Sequence, residues 1–196
     1  MGLTNSPRVV VFAGPNGAGK STHADAILSG LGIGTFVNAD FIARGLSGRD
    51  TDAVAFEAGR IMLKRLRQLA DAGDDFGFES TLSSRSFAPF LRGLQSKGYR
   101  VVIFYFSLAN AQLAVRRVRL RVSMGGHAVA PDIVRRRFAR SLTNFMTLYV
   151  PLASQWALFD NSSPPHARLV AQHDGNTLDI VENSIWLKLQ KLAQNP

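Results

Sequence analysis

Eight residues near the start of the chain, Gly14-Pro15-Asn16-Gly17-Ala18-Gly19-Lys20-Ser21, fit G-x-x-x-x-G-K-[ST] at every fixed position. Each residue type has a reason to be there. Glycines let the backbone take positive φ and turn successive N–H groups toward phosphate oxygens. The helix that follows directs its positive end at the same anion. Lys20 can reach the β- and γ-phosphates, and the Ser21 hydroxyl, followed by Thr22, can ligate Mg²⁺. The expected ligands are therefore ATP and Mg²⁺, held by residues 14–22.

Kinase chemistry also needs carboxylates, to orient or deprotonate an acceptor hydroxyl and to hold metal or substrate. Asp40 and Glu79 each follow a short apolar segment, Phe36-Val37 and Phe76-Gly77-Phe78. In an open α/β sheet, ligands bind at the carboxyl ends of strands, where both acids would face the phosphate loop. Asp40 reads as the base or orienter of the acceptor, or as the cap of a helix beginning Phe41-Ile42-Ala43. Glu79 reads as a substrate or metal contact, or as a charged strand end. GTPases and motor ATPases carry an apolar strand that ends in Asp. The most apolar strand here, Val101–Ser107, runs instead into Leu108, which points to a small kinase.

Cationic groups are concentrated as well. Of 23 basic residues 18 are Arg, and between Arg116 and Arg140 lie eight arginines and one acid, Asp132. Arg favours fixed bidentate phosphate contacts, and a localised cluster suits an anion held in one place. The two arms of the cluster, Arg116–Arg121 and Arg135–Arg140, flank Gly125-Gly126-His127. Such a helix–loop–helix could set Arg from both arms over the transferring phosphate. His127 is either a substrate contact or a loop residue.

The elements that must position these groups alternate. Arg8–Ala13 is a continuous apolar run, expected as a strand buried on both faces. Helices are expected at Thr22–Leu28, from Asp50 or Thr51 to Ala72, at Ser86–Ser96, at Ala109–Val122 and from Asp132. Strands are expected at Thr35–Val37, Asp75–Phe78, Tyr99–Leu108, Gln155–Phe159 and Arg168–Gln172, the last two joined through Pro164-Pro165, and a terminal helix at Leu178–Leu192. This order predicts an α/β fold of P-loop NTPase type, nucleotide-kinase-like, with a mainly parallel sheet and helices on both faces. One domain, residues 1–196, is expected.

Composition narrows the classes. With 46% hydrophobic and 19% charged residues, the bulk of the chain is not disordered, and without cysteine there are no disulfides, zinc–thiolate sites or thiol catalysis. The start of the chain has no signal-peptide pattern, and its apolar runs fall short of the roughly 20 residues that span a bilayer. A cytoplasmic location away from membranes is expected. The net charge of +9 admits nucleic acid as a partner, but no aromatics interleave Arg116–Arg137 to stack bases, so a small anionic acceptor is the stronger expectation.

Taken together, GPNGAGKST (Gly14–Thr22), NAD (Asn38–Asp40), FEST (Phe78–Thr81), RVRLRVSMGGHAV (Arg117–Val129) and the following Arg135-Arg136-Arg137 resemble the zeta-toxin family of P-loop kinases. Pro131 falls one residue later than that family places it. The resemblance implies phosphorylation of the 3′-hydroxyl of UDP-N-acetylglucosamine by ATP. It implies Lys20, Asp40, Arg121 and Arg136 as catalytic groups, and Asp40, Glu79, Thr81 and His127 as acceptor contacts. It also implies a possible antitoxin protein as partner. The alternatives are a P-loop kinase for a nucleoside, a dinucleotide cofactor or a nucleic-acid 5′ end, or a nucleic-acid-binding module.

Overall fold

The computed structural model describes residues 6–47, 54–126, 128–163 and 166–194. The expected positions Asp50, Thr51, His127, Pro164 and Pro165 lie outside them.

Strand β1 (Arg8–Ala13) is at the centre of the fold because of its sequence. Val9, Val11 and Ala13 point into one hydrophobic core and Val10 and Phe12 into the other, all five fully buried. A strand covered on both faces has no use for polar alternation, hence the unbroken apolar run. The loop after β1 leads into α1 (Lys20–Gly30), and β2 (Phe36–Val37) leads into α2 (Ala39–Ser47). Then come α3 (Ala55–Ala72), β3 (Phe76–Ser80), α4 (Phe87–Ser96), β4 (Arg100–Ser107) and α5 (Ala111–Ser123). Helix α6 (Pro131–Asn144) continues into a π-helical turn (Phe145–Tyr149) and a 3-10 turn (Val150–Leu152). Strands β5 (Gln155–Asp160), β6 (Arg168–His173) and β7 (Leu178–Ile180) and helix α7 (Asn183–Gln194) complete the chain.

The sheet order is β2-β3-β1-β4-β5-β6-β7. The first five strands are mutually parallel, and β6 and β7 add antiparallel. This is the expected mainly parallel α/β architecture. The segments that follow β1, β2 and β3 therefore emerge at one edge, where the loop and both acids lie.

Helix α6 crosses between the two cores. Val134 and Phe138 belong with α1 and α5, whereas Leu142 and the following Phe145 pack with α4 and the far strands. It thereby passes the carboxyl end of β3, where Ser141 Oγ donates to Thr81 O at 2.5 Å.

Three expectations are corrected. The terminal helix does not begin at Leu178: residues 178–180 form β7, with Leu178 opposite His173 and Ile180 opposite Ala171, and the helix starts at Asn183. The open edge of β6 supplies hydrogen-bond partners that decide between two readings of the same apolar spacing. The long third helix starts at Ala55 within the described residues. The helix expected from Asp132, with Val134, Phe138, Leu142, Phe145 and Tyr149 as its apolar stripe, is α-helical only to Asn144, and the stripe passes from α6 into the π turn.

Gly14 shows how tightly the loop is set. Its φ is +135°, and a Cβ built there would lie 2.2 Å from the carbonyl oxygen of Phe106 on β4. Gly14→Ala is expected to lose about 1–3 kcal/mol to backbone strain alone, with a fall in melting temperature of roughly 5–10 °C once the clash is added. Differential scanning calorimetry checks it.

Candidate active site

The loop between β1 and α1 closes on itself. Ala18 N donates to Pro15 O, and the buried Lys20 reaches back so that Nζ donates to Pro15 O at 3.1 Å. Gly19 takes φ +82°, and a Cβ there would meet Asn161 Nδ2 at 2.5 Å, because that amide lies against the loop and donates to Ala18 O at 2.8 Å. Asn161 follows β5, and its neighbour Ser162 accepts from Arg117 Nη2 through its carbonyl. The Asp160-Asn161-Ser162 segment thus braces the phosphate loop from the opposite side to the acids. Asn16 is buried, and its Oδ1 has no hydrogen-bond partner among the described residues. His23 on α1 stacks on Phe106 (centroids 4.9 Å apart), and burial holds its pKa below the ordinary value.

Glu79, near the end of β3, is the hub. One carboxylate oxygen accepts from Ser21 Oγ at 2.6 Å and from Asn38 Nδ2 at 2.9 Å, and the other lies 3.4 Å from Lys20 Nζ. Side chains from α1 and from the residue joining β2 to α2 therefore meet on one carboxylate of β3. Its side chain is only 15% exposed, so the pairing with Lys20 is little screened.

Asp40 sits one residue inside α2, and its N–H donates to Asn38 Oδ1 at 2.8 Å. The cap of α2 is thus Asn38, with Asp40 in the first turn, where the helix dipole favours a negative charge. Asn38 has two tasks, capping α2 through its oxygen and tying it to Glu79 through its amide. Asp40 itself faces α5: Arg121 Nη1 is 3.8 Å from its carboxylate, both side chains being more than a third exposed. The pair is open enough for solvent or a ligand to compete for either partner.

The remaining expected residues are less closely gathered. The Thr81 hydroxyl is hydrogen-bonded to Ser83 Oγ at 2.8 Å, in a local turn. Arg136 lies with Arg137 and Arg140 around a cavity beside that turn, together with Ser83, Ser84, Arg85 and Asn144. Of these, Arg85 and Asn144 were not legible as site residues; their only signal was proximity in sequence to FEST or to the Arg arm.

The donor set fits Mg²⁺ held with nucleotide phosphates: Ser21 and Glu79 offer hard oxygen ligands already 2.6 Å apart. Mg²⁺ is commonly bound by one or two such groups plus phosphate and water.

A phosphate loop at the head of a parallel sheet, with the Glu79 carboxylate of β3 gathered on its lysine and serine and Asp40 following the neighbouring strand β2, defines a P-loop kinase-like fold. The chain belongs to the AAA domain family (AAA_33), whose model matches residues 9–146. Among solved structures it is similar to the AvrRxo1-ORF1:-ORF2 complex with ATP. That match has a TM-score of 0.78 at 16% identity and covers 95% of this chain and 64% of that one. It is also similar to the PezAT chromosomal toxin–antitoxin system of Streptococcus pneumoniae, with TM-score 0.65, 13% identity and coverage of 100% and 86%. A third likeness is to a gluconokinase from Sinorhizobium meliloti 1021, with TM-score 0.53, 15% identity and coverage of 97% and 95%. The chain therefore spans less than two thirds of the AvrRxo1 chain. Among the described residues no helix is long and apolar enough to cross a membrane.

Proposed function

We propose that the protein is an ATP-dependent kinase that transfers the γ-phosphoryl group to a hydroxyl of a sugar nucleotide, the 3′-hydroxyl of UDP-N-acetylglucosamine being the acceptor the motifs favour. The observation that carries this reading is the convergence of Glu79 on Ser21, Lys20 and Asn38, with Asp40 two residues past Asn38 and beside Arg121. That arrangement supplies a place for triphosphate and metal next to a carboxylate with room for a hydroxyl.

In this reading the loop amides and Lys20 hold the β- and γ-phosphates, and Ser21 and Glu79 hold Mg²⁺, which draws charge from the phosphates when bound. Asp40 accepts the proton of the acceptor hydroxyl as its oxygen bonds to the γ-phosphorus; the bond from that phosphorus to the β–γ bridging oxygen breaks, and ADP leaves. Arg121, next to Asp40, takes up charge on the moving phosphoryl group. Arg136 is assigned a catalytic role by motif alone; its side chain lines the cavity beside the turn after β3. Thr81 and His127 are assigned to the acceptor by motif. ATP and a sugar nucleotide as substrates support a cytoplasmic location. The likeness to PezAT supports a protein antitoxin as partner.

The test is a panel of acceptors with Mg-ATP: UDP-N-acetylglucosamine, other sugar nucleotides, nucleosides, a dinucleotide cofactor and an oligonucleotide bearing a 5′-hydroxyl. Mass spectrometry is expected to show one phosphoryl group gained by UDP-N-acetylglucosamine. A gain confined to a nucleoside, dinucleotide or 5′ end would replace the acceptor with that class.

A further inference from the structure

Beside the site just described lies a second basic concavity, and it is a built one. A cavity of about 540 Å³ is lined by Ser83, Ser84 and Arg85 from the turn between β3 and α4, and by Arg136, Arg137, Arg140 and Asn144 from α6. Residues 136, 140 and 144 recur at the spacing of one helix face. Among the described residues, none of these four arginines has a carboxylate partner; the ion pairs formed by arginine involve Arg8, Arg121 and Arg168. Four guanidinium groups around one cavity repel one another unless an anion joins them, and serine hydroxyls add neutral donors of the kind phosphate oxygens accept.

The turn that presents Ser83, Ser84 and Arg85 is held in place at a cost. Leu82 has φ +51°, a conformation that a bulky residue adopts only when its surroundings impose it. The imposing groups come from α6 and the π turn. Ser141 Oγ donates to Thr81 O, Asn144 Nδ2 to Leu82 O at 2.8 Å, and Tyr149 OH to Ser84 O at 2.6 Å. Ser141 has one proton and gives it to Thr81, so the buried Tyr105 hydroxyl, 2.9 Å away, donates to Ser141. Burial pushes the Tyr149 phenol up to about 12 and that of Tyr105 higher still, so both remain donors throughout the neutral range. Three carbonyl anchors, at Thr81, Leu82 and Ser84, fix the floor of the cavity to α6 and the π turn that continues it.

We infer that this cavity is a second anion site, separate from the phosphate loop, and that it holds a phosphate or diphosphate group already present on the acceptor. Its place in the chain supports that. Ser83 is four residues past Glu79, a span of at most about 14 Å of extended chain. Asp40 follows β2, the parallel neighbour of β3, so both open at one edge of the sheet, where a single small molecule can place its anionic group among the arginines and a hydroxyl at Asp40. The name "acceptor" rests on the kinase reading above; the existence of the anion site does not.

The test uses the full chain saturated with Mg²⁺ and the β,γ-imido analogue of ATP, so that the phosphate loop is filled. Inorganic pyrophosphate is then titrated calorimetrically, with inorganic phosphate as a second arm. Wild type is expected to bind one pyrophosphate. Arg85→Gln with Arg140→Gln, both exposed side chains, is expected to weaken that binding about tenfold or more. The affinity for the ATP analogue should stay within about twofold, and the far-UV circular dichroism should be unchanged. Pyrophosphate tighter than phosphate assigns the cavity to a diphosphate; equal affinity assigns it to a single phosphate group. No pyrophosphate binding once the loop is filled, or undiminished binding in the double variant, overturns the inference and leaves the kinase reading standing. Pyrophosphate bound as expected by a protein that phosphorylates nothing in the acceptor panel would instead remove the kinase reading and keep the site.

Discussion

Asp40→Asn is expected to lower the turnover number for phosphoryl transfer by about 10²–10⁴-fold, the range that one positioned general base supplies. The affinity for ATP should change by less than about threefold. The separation follows from where Asp40 sits. It lies in the first turn of α2, after β2, and its neighbours are Asn38 and Arg121 rather than the phosphate loop itself. Asparagine preserves size and the backbone hydrogen bond to Asn38, so the helix start survives and only the proton acceptor is lost. The dipole contribution forfeited is about 0.3–1 kcal/mol, too little to unfold the domain. Steady-state kinetics with a saturating acceptor, together with an analogue titration, give both numbers. Undiminished turnover would reduce Asp40 to a helix-start residue, the other reading its sequence context permits.

Lys20→Met is expected to act on the other substrate. A single donor aimed at charge that develops in the transition state is worth about 10²–10³ in rate, and here the same group also binds the ground-state phosphates. Both the turnover number and ATP affinity should fall. The lysine is only 5% exposed and is tied to Pro15 O and Glu79. Methionine fills a similar volume without the charge and leaves Glu79 to Ser21 and Asn38. The two variants thus predict different signatures: Asp40→Asn slows chemistry at intact nucleotide binding, whereas Lys20→Met impairs both. If Lys20→Met bound and turned over ATP normally, the loop would not be the nucleotide site.

Much of this was legible because it is local. The run Arg8–Ala13 followed by Gly14–Ser21 specifies a buried strand and its phosphate turn within fourteen consecutive residues, and the structure forms both over those residues. Asp40 and Glu79 were legible as acids at strand ends because parallel strands bring all their carboxyl ends to one edge. What the sequence could not supply was pairing between distant segments. That Asn38 would hold Glu79 across 41 positions, or that Asn161 would reach Ala18 across 143, depends on strand order, which periodicity does not encode. The same limit explains β7. Leu178 and Ile180 fit either a strand or the first turn of a helix, and only the free edge of β6 decides.

Arg85 and Tyr149 illustrate a second kind of opacity. In sequence, Arg85 is a charge in a serine-rich turn and Tyr149 the last residue of an apolar stripe. Only the crossing of α6 from one core to the other brings Tyr149 OH to the Ser84 carbonyl and sets Arg85 among the α6 arginines. The arginine cluster was visible as charge, but its division into one residue beside Asp40 and three beside the Ser83–Arg85 turn was not.

The most direct measurement is a crystal structure of the protein with Mg²⁺, the β,γ-imido analogue of ATP and UDP-N-acetylglucosamine. The account predicts the triphosphate wrapped by the amides of residues 14–21. The sugar 3′-hydroxyl should lie within about 3.2 Å of an Asp40 carboxylate oxygen and in line with the γ-phosphorus. An acceptor hydroxyl directed at any other group, with Asp40 still turned to Arg121 and remote from the γ-phosphate, would contradict it.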